Sequence, residues 1–333
     1  MPDFDSYFKS LQSHKIDEIT EHSLRPELKD LLESLAGPKV KILHEPKREG
    51  KFGSPDFKIT NTESIIGYVE NKKIEENLDK TIRSEQILKY QSLSDNILLT
   101  NYIDWVWIKE GKVQRRETLC FLTDVENKRA KLDALKVEAV EKLIKAFLSQ
   151  APKEIADSKK LAVALAARAK LLKDFLLDEL KRQEKEHTEG RLYQLYETFK
   201  AFVFHEITVG EFADAFAQNL VYGLFLAKLN ADVQTVSLYN AKKFIPVSFE
   251  LIRELVNFLD ELDNEEYRET RWIVEEVLTI MNNLNLQAIA ESLSFTKKLK
   301  DKDGFIINDP YVYFYEDFLA AYDKKLKEKR GVY

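Results

Sequence analysis

The sequence predicts an α/β domain over residues 1–150 followed by an all-helical domain over residues 151–333. Three observations carry that reading. Short β-branched runs and a hairpin turn crowd the first 123 residues, with helical patterns on either side. From Pro152 to about residue 300 only helical spacing recurs, and few glycines interrupt it. Pro152 then breaks the pattern close to Gln150, which sets the domain boundary.

The elements follow in order. Residues 16–36 read as a helix, with Leu24, Leu28, Leu31, Leu32 and Leu35 at helical spacing and Gly37-Pro38 as its stop. Strand-like runs follow at 40–44, 56–60 and 65–70, the second preceded by the turn residues Gly53-Ser54-Pro55. Residues 79–91 read as a single helix. Strands are expected at 97–100 and 105–109, and Glu110-Gly111 turns the chain into 112–116. Residues 117–123 read as one more strand, and a helix at 132–149 closes the half. In the second half, helices are expected at 158–185, 191–203, 208–230, 248–262 and 265–297.

Composition narrows the function classes. At 333 residues the chain is long enough for two cores. The single cysteine, Cys120, excludes an internal disulfide framework and argues against a thiolate zinc site. No run reaches transmembrane length, and MPDFDSYFKS lacks the charged and apolar regions of a signal peptide, so a cytoplasmic location without membrane contact is expected. The net charge of −6 does not favour nucleic acid, yet basic clusters occur at 41–51, Lys72-Lys73, Arg115-Arg116 and 324–330. None of the five histidines has ligand spacing, and each reads as a surface or capping residue. The aromatic stripe Phe199, Phe202, Phe204, Phe212, Phe216, Tyr222 and Phe225 reads as core packing rather than a base-stacking surface.

The chemistry concentrates at residues 55–72. Asp56 opens one strand, Glu70 ends the next, and Lys72 follows two residues later on the same face as Glu70. Neighbouring strands lie about 4.8 Å apart, so a hairpin joining 56–60 to 65–70 brings both carboxylates within reach of one divalent cation. Mg²⁺ takes oxygen ligands and keeps several waters. A lysine beside it orients the attacking water and stabilises charge on a phosphate. The plain alternative is a solvated hairpin with a surface Glu–Lys pair. Against it stands the apolar run Ile65-Ile66-Gly67-Tyr68-Val69, because a charge at the end of a buried strand needs compensation.

Ser54-Pro55-Asp56-Phe57, Tyr68-Val69-Glu70-Asn71-Lys72 and Gln86-Ile87-Leu88-Lys89-Tyr90 resemble the PD-(D/E)xK nuclease fold with its downstream QxxxY helix. The resemblance implies that Asp56 and Glu70 bind Mg²⁺, with Mn²⁺ as a substitute, and that Lys72 assists the water. It implies that Gln86 and Tyr90 support the site or contact DNA, with Lys73 beside them. It also implies an acid on the first helix. Glu21, near the Leu24/Leu28 face, is the first choice and Glu27 the alternative; a carboxylate favoured by the helix dipole explains either one as readily.

A longer stretch resembles the helical connector of fused restriction–modification enzymes of types IIG and ISP: Ile207 to Gln218, Leu220 to Ala227, and Asp309-Pro310 to Tyr322. In that family the connector joins the nuclease to an adenine-N6 DNA methyltransferase, which begins after a segment like Lys329-Arg330-Gly331-Val332-Tyr333. The implied partners are double-stranded DNA and the methyltransferase and target-recognition domains of the same full-length chain, with transient self-association for double-strand cleavage. S-adenosylmethionine would bind only in the methyltransferase. This sequence contains no glycine-rich cofactor loop. Asn308-Asp309-Pro310-Tyr311 lacks the first proline of an NPPY motif and reads as connector.

Overall fold

The computed structural model describes residues 4–16, 20, 22–44, 55–61, 64–150, 155–186, 190–202, 204–247, 250–296, 299–300, 306–307 and 310–323. The chain divides into two compact units, Met1–Lys153 and Glu154–Tyr333. The first is an α/β domain and the second is built mainly of helices.

The first unit opens with a helix that the sequence reading did not anticipate, α1 (Phe4–Ser13). Its buried residues Phe4, Tyr7, Phe8 and Leu11 recur at the spacing of one helical face. Helix α2 (Arg25–Leu35) is shorter than the expected 16–36, and Pro26 lies in its first turn. Proline has no N–H to donate and fits only the first turn of a helix, so α2 begins there.

Strands β1 (Val40–His44), β2 (Phe57–Asn61) and β3 (Ser64–Asn71) follow as expected. The single helix expected at 79–91 is instead two, α3 (Leu78–Ile82) and α4 (Glu85–Leu93). The Ser84 hydroxyl accepts from the Ile87 N–H at 3.3 Å, and this cap starts a new helix. Then come β4 (Asn96–Thr100), β5 (Asp104–Lys109) and β6 (Lys112–Thr118). Glu110 (φ 52°) and Gly111 (φ 73°) make the tight turn between the last two strands. The strand expected at 117–123 ends early. Residues Leu122–Glu126 form α5, whose first turn is closed by the Asp124 carboxylate accepting from the Phe121 N–H at 2.9 Å. Helix α6 (Ala134–Leu148) ends the unit's regular structure.

The six strands form one sheet in sequence order. All neighbours are antiparallel except β3 and β4, which run parallel with Val69 opposite Leu98 and Glu70 opposite Leu99. A parallel pair requires a crossover, and α3 and α4 supply it. The one parallel joint therefore places two helices directly after the strand that ends in Glu70 and Asn71. Phe57, Ile59, Val69, Leu98 and Trp105 pack with Leu28 and Leu32 of α2 and Val140, Ile144 and Phe147 of α6 in one core.

Gly67 sits where β3 is approached most closely. A Cβ there would lie 2.3 Å from the Asn96 carbonyl oxygen and 3.0 Å from the Phe147 ring. Asn96 cannot easily give way. Its amide donates to the carbonyls of Ile66 (3.0 Å) and Phe147 (3.2 Å), and its oxygen accepts from the Trp107 indole at 2.7 Å.

The second unit contains α7 (Ser158–Glu186), α8 (Arg191–Phe202), α9 (Val209–Ala231), α10 (Glu250–Val256), α11 (Arg268–Asn282), α12 (Leu286–Thr296) and α13 (Pro310–Tyr322). The expected helix at 248–262 runs from α10 into a 3-10 turn at Asn257–Glu261. A two-residue ladder, β7 (Leu299–Lys300) with β8 (Ile306–Ile307), departs from the strandless expectation. Thr208 and Glu211 form a reciprocal cap on α9. Inside the unit Arg168 and Glu276 form a buried pair at 3.1 Å, and Phe225 stacks on Phe314 at 3.8 Å.

The aromatic stripe divides. Phe212, Phe216 and Phe225 are core residues, but Phe202 and Phe204 are 84% and 62% exposed, which corrects the reading of a wholly buried stripe. Phe202 is the last residue of α8, so the helical spacing that buries Tyr196 does not continue through it. The His205 ring lies 3.1 Å from the Lys200 carbonyl, a capping position. Asn308 and Asp309 lie outside the described residues, and α13 starts at Pro310. Among the described residues, no helix is long and apolar enough to cross a membrane.

Gly67→Ala is expected to destabilise the protein by about 1–3 kcal/mol, the usual cost of overpacking. A lower midpoint in urea unfolding of the full chain checks this, and an unchanged midpoint would contradict the close approach.

Candidate active site

β3 presents its chemistry at its end. Glu70 and Asn71 are the last two residues of the strand and are buried. The Lys72 N–H donates to the Thr100 carbonyl at 2.8 Å, which extends the parallel ladder by one residue. Alternation then keeps Lys72 on the face of Glu70 and puts Asn71 on the other.

Four of the residues singled out in the sequence meet on the Glu70 face. Lys72 Nζ lies 2.7 Å from Glu70 Oε1 and donates to Gln86 Oε1 at 2.9 Å. Gln86 Nε2 donates to Glu70 Oε1 at 3.0 Å and to the Tyr90 hydroxyl at 2.9 Å. Gln86 and Tyr90 are one turn apart on α4, and Tyr90 is buried, so the tyrosine braces the amide from the helix side. The amide offers its acceptor to the lysine and its donor to the carboxylate. That fixes its orientation and the placing of both charges.

Asp56 precedes β2 by one residue. Phe57 pairs with Val69, so Asp56 stands one rung further on, beside Glu70. Its hydrogen bonds run to a different set of partners. Asp56 Oδ1 forms an ion pair with Arg25 of α2, and Asp56 Oδ2 accepts from the Asn71 N–H at 2.7 Å. Arg25 Nε also donates to Asn71 Oδ1 at 3.3 Å, and Asn71 Nδ2 donates to the Tyr102 hydroxyl at 2.9 Å. Tyr102 is buried at φ 77°, an uncommon backbone for a residue with a side chain. Its N–H donates to Thr100 Oγ1 at 3.0 Å and its carbonyl accepts from the Tyr7 hydroxyl at 2.9 Å.

Sequence reasoning missed Arg25, Asn71, Tyr102 and Tyr7. Two signals were present: an arginine immediately before the helix-starting Pro26, and a polar residue between Glu70 and Lys72 in an otherwise apolar strand.

The first-helix acid divides as follows. Glu21 lies outside the described residues. Glu27 lies in the first turn of α2, and its Oε2 is buried without a hydrogen-bond partner. Burial first, and then the charges of Tyr102, Cys120 and Glu27, push the Tyr7 hydroxyl well above its ordinary pKa. Lys73 is exposed beside the cluster.

The donor chemistry of Asp56 and Glu70 suits a hard divalent cation. Both are carboxylates, both are 0% exposed, and the β2/β3 register, extended by one residue, sets them opposite each other. Among the described residues no three of His, Cys, Asp and Glu gather as a ligand set. Water would fill the remaining positions around an ion held by Asp56 and Glu70. Cys120 is no alternative nucleophile. Burial, helped by Asp124, pushes its thiol up to about 12.

No family model matches the chain, and no curated protein matches it. A solved structure, the cryo-EM structure of a DrdV–DNA complex, is similar to it with a TM-score of 0.33 and 16% identity. The match covers 98% of this chain and 30% of that one, so the present chain spans less than a third of that protein. At that score the likeness is loose, and the reading of the site rests on its own residues.

Gln86→Ala removes a partner from Lys72 and Glu70 together and is expected to cost about 1–3 kcal/mol, measurable as a lower unfolding midpoint. With its pKa near 12, Cys120 is thiolate in only about one molecule in ten thousand at pH 8. A thiol-specific disulfide reagent is therefore expected to leave the native protein unmodified for hours and to react fully once urea unfolds it.

Proposed function

We propose that residues 1–150 form a Mg²⁺-dependent DNA endonuclease of the PD-(D/E)xK kind, the cutting arm of a restriction–modification enzyme. One observation carries this reading: Glu70, Lys72, Gln86 and Tyr90 form a single hydrogen-bonded network, and the strand register sets Asp56 opposite Glu70. A surface Glu–Lys pair has no need of a buried carboxylate, a bracing amide and a second buried carboxylate beside it.

Asp56 and Glu70 would hold Mg²⁺ or Mn²⁺, which supplies Lewis acidity and an acidified water. Lys72 orients that water through its ammonium protons and stabilises charge that builds on the phosphate. Gln86 keeps Lys72 and Glu70 in register, and Tyr90 keeps Gln86 in place. The exposed Lys73 is suited to a phosphate of double-stranded DNA.

The helical unit would act as the connector to an adenine-N6 methyltransferase and its recognition domain, where S-adenosylmethionine would bind. One nuclease site per chain makes transient pairing of two enzymes the route to a double-strand break. A second reading, in which this region docks DNA without cutting it, draws support from the Arg25–Asp56 ion pair, since a guanidinium already neutralises the would-be metal ligand.

Plasmid nicking in Mg²⁺ or Mn²⁺ tests the proposal. Asp56→Ala and Lys72→Ala are each expected to lower the rate by about 10²-fold or more while DNA binding persists. Nicking that survives both substitutions would overturn the site. DNA binding by the wild-type protein without nicking in either metal would favour the docking reading.

A further inference from the structure

We infer that Arg25 is the resident counter-cation of the candidate metal site, so that a divalent ion must displace the Arg25–Asp56 contact in order to load. The inference rests on the reading of Asp56 and Glu70 as metal ligands and adds a residue that controls their loading.

Asp56, Glu70, Arg25 and Lys72 carry two negative and two positive charges, and Asp56, Glu70 and Arg25 are buried. The four sum to zero without any metal. Buried carboxylates are tolerated only when compensated, and Arg25 supplies that compensation on the Asp56 side. A divalent ion arriving at Asp56 then meets a guanidinium already bonded to one of its two oxygens. Two like charges about 4 Å apart in a partly screened interior repel strongly, so Arg25 weakens metal binding while it stabilises the metal-free fold.

The guanidinium is also anchored. Its Nε donates to Asn71 Oδ1, and Asn71 in turn donates its backbone N–H to the other oxygen of Asp56. Arg25, Asn71 and Asp56 thus form a closed triangle. Loading the ion requires the side chain to swing away from Asp56. Arg25 is accordingly a positioning residue: it holds Asp56 in place without metal and sets the threshold for metal binding.

The test is calorimetric titration of the full chain with Mg²⁺ alone, alongside thermal melts with and without Mg²⁺. Arg25→Gln is expected to bind Mg²⁺ at least about tenfold more tightly than wild type. Its melting temperature is expected to fall without metal and to recover with it by more than the wild type gains. Unchanged or weaker Mg²⁺ affinity in a folded Arg25→Gln would overturn the inference. If that variant does not fold, Asn71→Ala decides, because it frees Arg25 Nε but keeps the backbone N–H to Asp56. Tighter Mg²⁺ binding by a few fold supports the counter-cation role, and equal or weaker binding refutes it. Asp56→Asn separates the two levels of argument: if it binds Mg²⁺ as wild type does, the ligand assignment itself fails, whatever Arg25 does.

Discussion

The first unit is organised around two carboxylates buried at the end of one hairpin. A lone ionised carboxylate in a protein interior costs several kcal/mol. Asp56 and Glu70 are both 0% exposed, and the β2/β3 register, extended by one residue, sets them opposite each other. Each is compensated from a different helix. Arg25 reaches Asp56 from α2, and Gln86 reaches Glu70 from α4, with Lys72 closing the second set. The position of both helices follows from this need as much as from apolar packing. α4 is available at all because β3 and β4 run parallel and require a crossover.

The same arrangement ties the side chains of the site to one another. Gln86 joins three partners, and Asn71 joins Arg25, Asp56 and Tyr102. Networks in which each member is fixed by two others resist small displacements, and removing one member leaves buried polar atoms unpaired. Rigid placement of charge before the substrate arrives is the property that electrostatic catalysis requires. The Cys120 thiol is buried, and its pKa is raised to about 12.

Much of this was legible in the sequence, for identifiable reasons. Strand alternation gave Glu70 and Lys72 a common face, and the i, i+4 spacing of Gln86 and Tyr90 put both on one side of a helix. The hairpin turn at Glu110-Gly111 was readable because Gly111 readily takes positive φ. Pattern failed where local caps decide. Ser84 splits a continuous apolar pattern into two helices, Asp124 converts an expected strand into a helix, and Pro26 moves the start of α2. Arg25 was invisible because its role depends on a partner 31 residues away, a relation that no local pattern encodes. Phe202 and Phe204 show the converse: helical spacing places residues on a face but does not bury those at the end of the helix.

The central claim is that Asp56 and Glu70 together hold a divalent cation. Anomalous diffraction from crystals of the full chain soaked in Mn²⁺ tests it most directly. The account requires a peak within coordination distance of both carboxylates, with the Arg25 side chain moved off Asp56. A peak elsewhere, or none beside Asp56 and Glu70 at saturating Mn²⁺, would contradict it.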